Sequence, residues 1–143
     1  MSYIGQPIPS TTININQVKI SDGKSVEVTV DAGSGVTAGQ FAVIDGFFGV
    51  AMQTVVAAEN TAGTNIVLTI EPSEYITDQV DPAKTFAKGA ALYFDPARLL
   101  FTDDSAVAGA FFCGRVSSAK DAANTIQFML YPQTVTAAAS PSK

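Results

Sequence analysis

Phe86-Ala87-Lys88-Gly89-Ala90-Ala91-Leu92-Tyr93-Phe94-Asp95-Pro96 decides how this chain folds. Gly89 supplies a turn point, and Asp95-Pro96 supplies a stop. The apolar and aromatic run between them, Ala90 to Phe94, is too short for a stable helix and long enough for a buried strand. A second apolar run follows at 110–116, then a polar turn at 117–124 and a third run at 125–131. These three runs read as the central strands of an antiparallel β domain. The strands that come earlier in the chain read as additions to that nucleus.

Just upstream, residues 71–88 carry Pro72, Pro82 and several carboxylates. The stretch is too long for a hairpin turn and reads as a surface loop with room for one short helical turn. Before it, Ile66, Leu68 and Ile70 alternate with Val67 and Thr69, which is a strand, and 59–65 is its leading turn. Residues 40–51 form a nearly continuous apolar run broken by Asp45-Gly46, hence strand, tight turn, strand, with 53–56 able to extend it. Residues 31–39 are Gly-rich and polar, a loop. Val26, Val28 and Val30 alternate with Glu27 and Thr29 behind an Asp22-Gly23 turn signal.

Towards the N-terminus, Gly5, Pro7 and Pro9 predict extended chain. Residues 12–20 alternate, but the phase flips, with Ile13 and Ile15 on one parity and Val18 and Ile20 on the other. A bulge, or a change of partner near Asn16-Gln17, produces such a flip. An arm that leaves one surface for another fits, and so does an ordinary bulged edge strand. Downstream of the nucleus, 99–102 is a brief strand and 103–108 a turn, while 134–143 has no periodicity and is expected to be disordered. The expected organisation is an extended arm at 1–20, a β-barrel domain at 21–133 and a flexible tail at 134–143. Strands recur about every 8 to 12 residues, and no long amphipathic helix appears. The expected fold class is all-β, a small antiparallel β-barrel or sandwich.

The 143 residues fit one domain with a real core. One cysteine permits no internal disulfide, and neither a secretory leader nor an apolar run of about 18 residues is seen. A net charge of −5 and a pI near 4.4 disfavour binding to a phosphate backbone. Charged residues make up only 15%, and the mean hydropathy is +0.24. A surface so thinly charged suits a stable oligomer or a permanent seat on something larger.

The chemistry is mostly one of absences. There is no histidine, which removes the Ser-His-Asp and Cys-His arrangements and most zinc sites. Cys113, between Phe112 and Gly114 in an apolar strand, reads as a buried, inert thiol. Gly23-Lys24-Ser25 matches the end of a phosphate-binding loop, but Val18 stands where the first glycine belongs, and a strand pattern follows where a helix is needed. Gly33-Ser34-Gly35 with Gly39 lacks the spacing and context of a dinucleotide fingerprint. Glu71, Glu74, Asp78 and Asp81 match no calcium-loop spacing, and Asp103-Asp104 reads as a turn pair. No catalytic residue, metal ligand or cofactor is therefore expected. Phe47-Phe48, Tyr93-Phe94 and Phe111-Phe112 place adjacent aromatics on opposite strand faces. One face fills the barrel. The other must be covered by a neighbour, since interfaces concentrate such residues.

Three strings carry a resemblance: Gly46-Phe47-Phe48-Gly49-Val50-Ala51, the opening stretch with its Lys-Gly-x-x-Leu-Tyr-x-Asp pattern, and Gly114-Arg115-Val116-Ser117-Ser118-Ala119-Lys120-Asp121. Together, over roughly residues 40–132, the chain resembles the DUF2190 family of tailed-phage and prophage proteins, whose members are similar to capsid cement, or decoration, proteins. Some relatives carry an old recombinase label, which the failed phosphate loop argues against here. The resemblance implies small β-barrel subunits that assemble on the outside of a phage head and stabilise it. The implied partners are the major capsid protein and other copies of the chain, most simply as a trimer, with a dimer next. No nucleic acid, membrane or cofactor is implied. The residues expected at the contacts are Ile13, Ile15 and Val18 of the arm, with Phe47, Phe48, Tyr93, Phe94, Phe111 and Phe112 of the strands. A different class of reading is a tail or fibre accessory that recognises a host glycan in a groove lined by Tyr3, Tyr75 and Asp78. An enzyme would need two carboxylates about 5 to 10 Å apart in a cleft.

Overall fold

Valine alternation makes the first strand. In the structure, a computed structural model whose described residues are 18–133, β1 (Ser25–Val30) turns Val28 and Val30 into a core and leaves Glu27 and Thr29 in solvent. β2 (Phe41–Ile44) and β3 (Phe47–Ala51) are joined by Asp45 and Gly46, both at positive φ (53° and 82°). Two such residues give the tight turn whose twist matches a hairpin. A 3-10 turn (Ala57–Glu59) leads into β4 (Thr64–Thr69). Then come β5 (Glu74–Thr77), β6 (Ala91–Asp95), β7 (Leu100–Thr102), β8 (Phe111–Ser118) and β9 (Ile126–Leu130). Every strand pairing is antiparallel, and the described residues contain no α-helix. The all-β expectation holds.

The three runs of the nucleus lie side by side as β9, β8 and β6, at the centre of a five-stranded sheet ordered β5-β9-β8-β6-β7. Of the strands earlier in the chain only β5 extends it, and β1 to β4 do not. They form a separate four-stranded sheet ordered β1-β4-β3-β2. The cause is the β2–β3 hairpin, which is apolar on both faces. Phe41, Val43, Phe48 and Val50 pack against the five-stranded sheet, on Phe94, Phe101, Phe111 and Phe128. Ala42, Ile44 and Ala51 face the other way, into a second core with Val28, Val30, Ile66 and Leu68. The four-stranded sheet curls around this second core as a half-barrel. Its two edges approach where the Thr29 N–H donates to the Asp45 carboxylate at 2.7 Å.

Two loop expectations are corrected. Residues 71–88 are not simply a surface loop, since they contain β5, paired along β9. Val80 bridges Phe101, and both Val80 and Phe86 sit in the core. Tyr75 and Thr77 point inward, but their polar tips hide the alternation that an aliphatic pair would show. Residues 53–56 do not extend β3. The chain turns away after Ala51, and Val55 bridges Val36, so that both side chains plug the end of the half-barrel.

The main core is aromatic. The Phe41 ring lies 5.2 to 5.7 Å from those of Phe48, Tyr75, Phe101 and Phe128, mostly edge to face. Two side-chain amides tie the sheets together. Gln79 accepts the Phe41 N–H at 2.8 Å and donates to the carbonyls of Phe41 and Leu99, each at 2.8 Å. Gln133 does the same for Phe48, accepting at 2.9 Å and donating at 2.8 Å. Each amide stands in for a missing strand partner.

Candidate functional site

Strand alternation sorts the aromatic pairs. Phe48, Phe94 and Phe111 are 5%, 0% and 8% exposed, so they are spent inside the subunit. Their neighbours face outward, with Phe47 at 37% and Tyr93 and Phe112 half-buried. Ile13 and Ile15 lie outside the described residues, as does Tyr3. Val18 is exposed, and beside it Ile20 is 88% exposed.

The outward aromatics form a row across the five-stranded sheet. Tyr93 meets Phe112 edge to face at 5.8 Å, and Phe112 meets Tyr131 at 5.3 Å. Arg115 holds the row in place, its Nε donating to the Tyr131 hydroxyl at 3.1 Å and its Nη1 to the Gly89 carbonyl at 2.8 Å. A β-bulge sets this arrangement. Leu92 pairs with Gly114 and Tyr93 with Phe112, so Cys113 has no partner on β6, though its carbonyl accepts the Tyr131 N–H at 2.9 Å, and its side chain goes into the core. Gly114 is required there, because a β-carbon would strike the Met129 carbonyl oxygen. On the same face, towards β5, Met129 and Ile76 are exposed. The sequence reading does not single out Ile76, Met129 or Tyr131. Met129 and Tyr131 were legible as the outward parity of the alternation in β9, whereas Ile76 was hidden by the loop assignment.

Most of the titratable side chains have structural partners, whereas Asp78 is exposed beside an open groove. Arg98 donates to Asp95 at 2.9 Å and to Asp81 at 3.1 Å. The Ala83 N–H, followed by Arg98, holds the Asp81 carboxyl below its ordinary value, and Arg98 does so for Asp95. Glu71 pairs with Lys24 at 3.5 Å, and Glu74 accepts the Ser117 hydroxyl at 2.6 Å. Asp103 accepts the Phe86 N–H at 3.0 Å, and Asp104 pairs with Lys84 at 3.1 Å. Among the described residues, no group of three or more His, Cys, Asp or Glu side chains could hold a metal ion. Burial pushes the Cys113 thiol pKa up, and its Sγ donates to the Leu92 carbonyl at 3.5 Å. The half-buried Tyr75 donates its hydroxyl to the Glu71 carbonyl at 2.7 Å while its ring stacks on Phe128, and Asp78 is exposed. Lys24 and Ser25 lead into β1 and no helix, so no phosphate cradle forms. No helix among the described residues is long and apolar enough to cross a membrane.

Two sheets around an aromatic and an aliphatic core, with a row of outward-facing aromatics on one of them, define an all-β protein. A family model described as "Phage cement protein" matches residues 20–132, and the chain belongs to that family. The match reaches back through β1, well beyond the motif resemblance that began at residue 40. No curated protein and no solved structure was found to match the chain. Membership gives a phage capsid-associated structural role.

Proposed function

We propose that this chain is a head decoration protein that binds the outer surface of a phage capsid as a homo-oligomer and stabilises the shell. The family match over residues 20–132 is the observation that carries the reading. The outward row of Tyr93, Phe112 and Tyr131, continued by Met129 and Ile76, supports it, because a subunit with this much apolar strand surface gains by being covered. Charge supports an outer seat. The net charge is −5, and most of the described cations are already spent on partners within the subunit, Lys120 for instance on the Pro82 carbonyl at 2.6 Å. Such a surface is poorly suited to the DNA-filled interior.

The contact residues in this reading are Val18, Phe47, Tyr93 and Phe112, with Ile13 and Ile15 on the arm. In this reading residues 1–20 serve as the arm, 21–133 as the β domain and 134–143 as the tail. A trimer at a capsid symmetry position is the simplest assembly, with a dimer next. Several weak contacts with the major capsid protein then act as one strong attachment through effective concentration. Clamping adjacent capsid subunits resists the pressure of packaged DNA. The test is cosedimentation of the full chain, and of a variant lacking residues 1–16, with empty expanded heads. Binding by the full chain and loss of binding by the variant are expected. A full chain that leaves heads unbound removes the reading, and a truncated chain that binds as well as the full one removes the arm as the attachment.

A further inference from the structure

A two-sheet fold has four strand edges, here β1, β2, β5 and β7. Each is a row of unpaired peptide groups unless something blunts it. One is closed and two are blunted in part. At β7, the Phe101 N–H donates to the Gln79 carbonyl at 2.8 Å, and its carbonyl accepts the Asp81 N–H at 3.0 Å. At β2, the Gln79 amide satisfies both the N–H and the carbonyl of Phe41 and leaves those of Val43. At β1, the Asp45 carboxylate takes the Thr29 N–H, while the outward peptide groups of Ser25 and Glu27 have no partner among the described residues, and the side chains along that edge, Ser25, Glu27 and Thr29, are polar. β5 differs in the exposed aliphatic side chain it carries on an open edge. The Leu130 N–H donates to the Ser73 carbonyl at 2.9 Å, and β5 pairs on from there through Tyr75–Phe128 and Thr77–Ile126. Antiparallel alternation then turns the N–H and carbonyl groups of Glu74 and Ile76 away from β9. Among the described residues, no strand, bridge or side chain pairs with them. Glu74 is the one charged side chain on this strand, and the strand has no lysine, proline or bulge. Ile76 itself is 65% exposed, and an open groove of about 290 Å³ lined by Gly39, Ile76, Thr77, Asp78 and Thr125 runs beside it.

We propose that this edge receives the arm of a second copy, with residues 12–16 adding as a further strand beside β5 and Ile13 and Ile15 continuing the apolar face of Ile76 and Met129. The inference rests on the oligomeric reading above and names its joint. Strand addition supplies main-chain hydrogen bonds, and alternate side chains set the register. The segment has the required alternation, Ile13-Asn14-Ile15, and 17 residues precede the first described one. Residues 12–16 lie two to six residues from Val18, about 7–20 Å at roughly 3.3 Å each, so the receiving edge is that of the copy lying directly against the arm's root. The arm's root stands off its own subunit. Ile20 is 88% exposed, and residues 18–22 join no strand, although Lys24 lies beside Glu71 and would let a chain fold back on its own β5. An arm-to-edge contact passed on to a third copy is head-to-tail and forms a ring such as a trimer where the rotation closes, whereas one exchanged reciprocally gives a two-fold dimer.

Cysteine pairing tests it, with the buried Cys113 left in place. Ile76→Cys is mixed with Ile13→Cys, Ile15→Cys or Asn14→Cys under mild oxidant and run on a non-reducing gel. Disulfide-linked chain pairs are expected with positions 13 and 15 and not with 14, because a one-residue step reverses the face. In sedimentation, Ile76→Lys is expected to shift the oligomer to monomer while the monomer keeps a folded β circular-dichroism spectrum, its melting temperature falling only by the stabilisation that assembly supplied. The proposal is overturned by an oligomer that gives no cross-link in any mixture. A bond that forms only within one chain of the Ile15→Cys, Ile76→Cys double variant overturns it too, as does an Ile76→Lys protein that stays oligomeric but no longer binds heads, which would give the edge to a capsid strand. Cross-linked oligomers that ignore heads would remove the decoration reading and leave the arm exchange standing. Heads bound without cross-links would do the reverse.

Discussion

At the scale of single residues, a few polar side chains do what the strands cannot. Gln79 carries three hydrogen bonds between the two sheets. Removing it leaves partly buried peptide groups of Phe41 and Leu99 without partners, at about 1–3 kcal/mol. Gln79→Ala should lower the urea midpoint accordingly, and Gln79→Glu should recover only part of the loss, because a carboxylate can accept from Phe41 but cannot donate. The Arg98 triad sets the acid limit. Asp81 and Asp95 are held below their ordinary value of 3.8. A lowered carboxylate stabilises the fold at pH values where the unfolded chain is already ionised, and that contribution is lost as pH falls through the folded values. The melting temperature should therefore be level from about pH 7 to 5 and fall below about pH 4. An Asp81→Asn, Asp95→Asn double variant should start less stable and fall less steeply. Parallel curves would mean that the triad does not set the slope.

At the scale of elements, the parts legible in the sequence are those fixed locally. The β2–β3 hairpin follows from an apolar run with Asp45-Gly46 at its middle, and Gly46→Val, placing a β-branched side chain at φ 82°, should cost about 1–2 kcal/mol in a denaturant melt. The strands β6, β8 and β9 were legible for the same reason, through period-two patterning and turn chemistry. β5 was not, because its Glu-Tyr-Ile-Thr sequence offers one aliphatic residue, and that one points outward. The division into two sheets was not legible either. A hairpin that is apolar on both faces does not reveal which strands each face will meet, since that choice depends on contacts distant in sequence. The candidate site was half legible. Alternation placed Phe47 opposite Phe48, Tyr93 opposite Phe94 and Phe111 opposite Phe112, but which member of each pair is spent inside depends on the fold and on the bulge at Cys113. That the outer side of β5 has no partner among the described residues could not be read at all, because an edge is defined by what fails to pair with it.

At the scale of the whole molecule, the β2–β3 hairpin has a consequence for how the subunit comes apart. Phe41 and Ala42 are adjacent in the chain and belong to different interiors. Loosening either interior removes one side of the wall that supports the other, so neither half has a melted state open to it alone. Scanning calorimetry should therefore show a single transition whose calorimetric and van't Hoff enthalpies agree. Two resolved peaks would show that the halves melt independently. For a shell component, all-or-none behaviour means that a strained subunit keeps its full grip until it lets go completely, with no half-open species lingering on the particle.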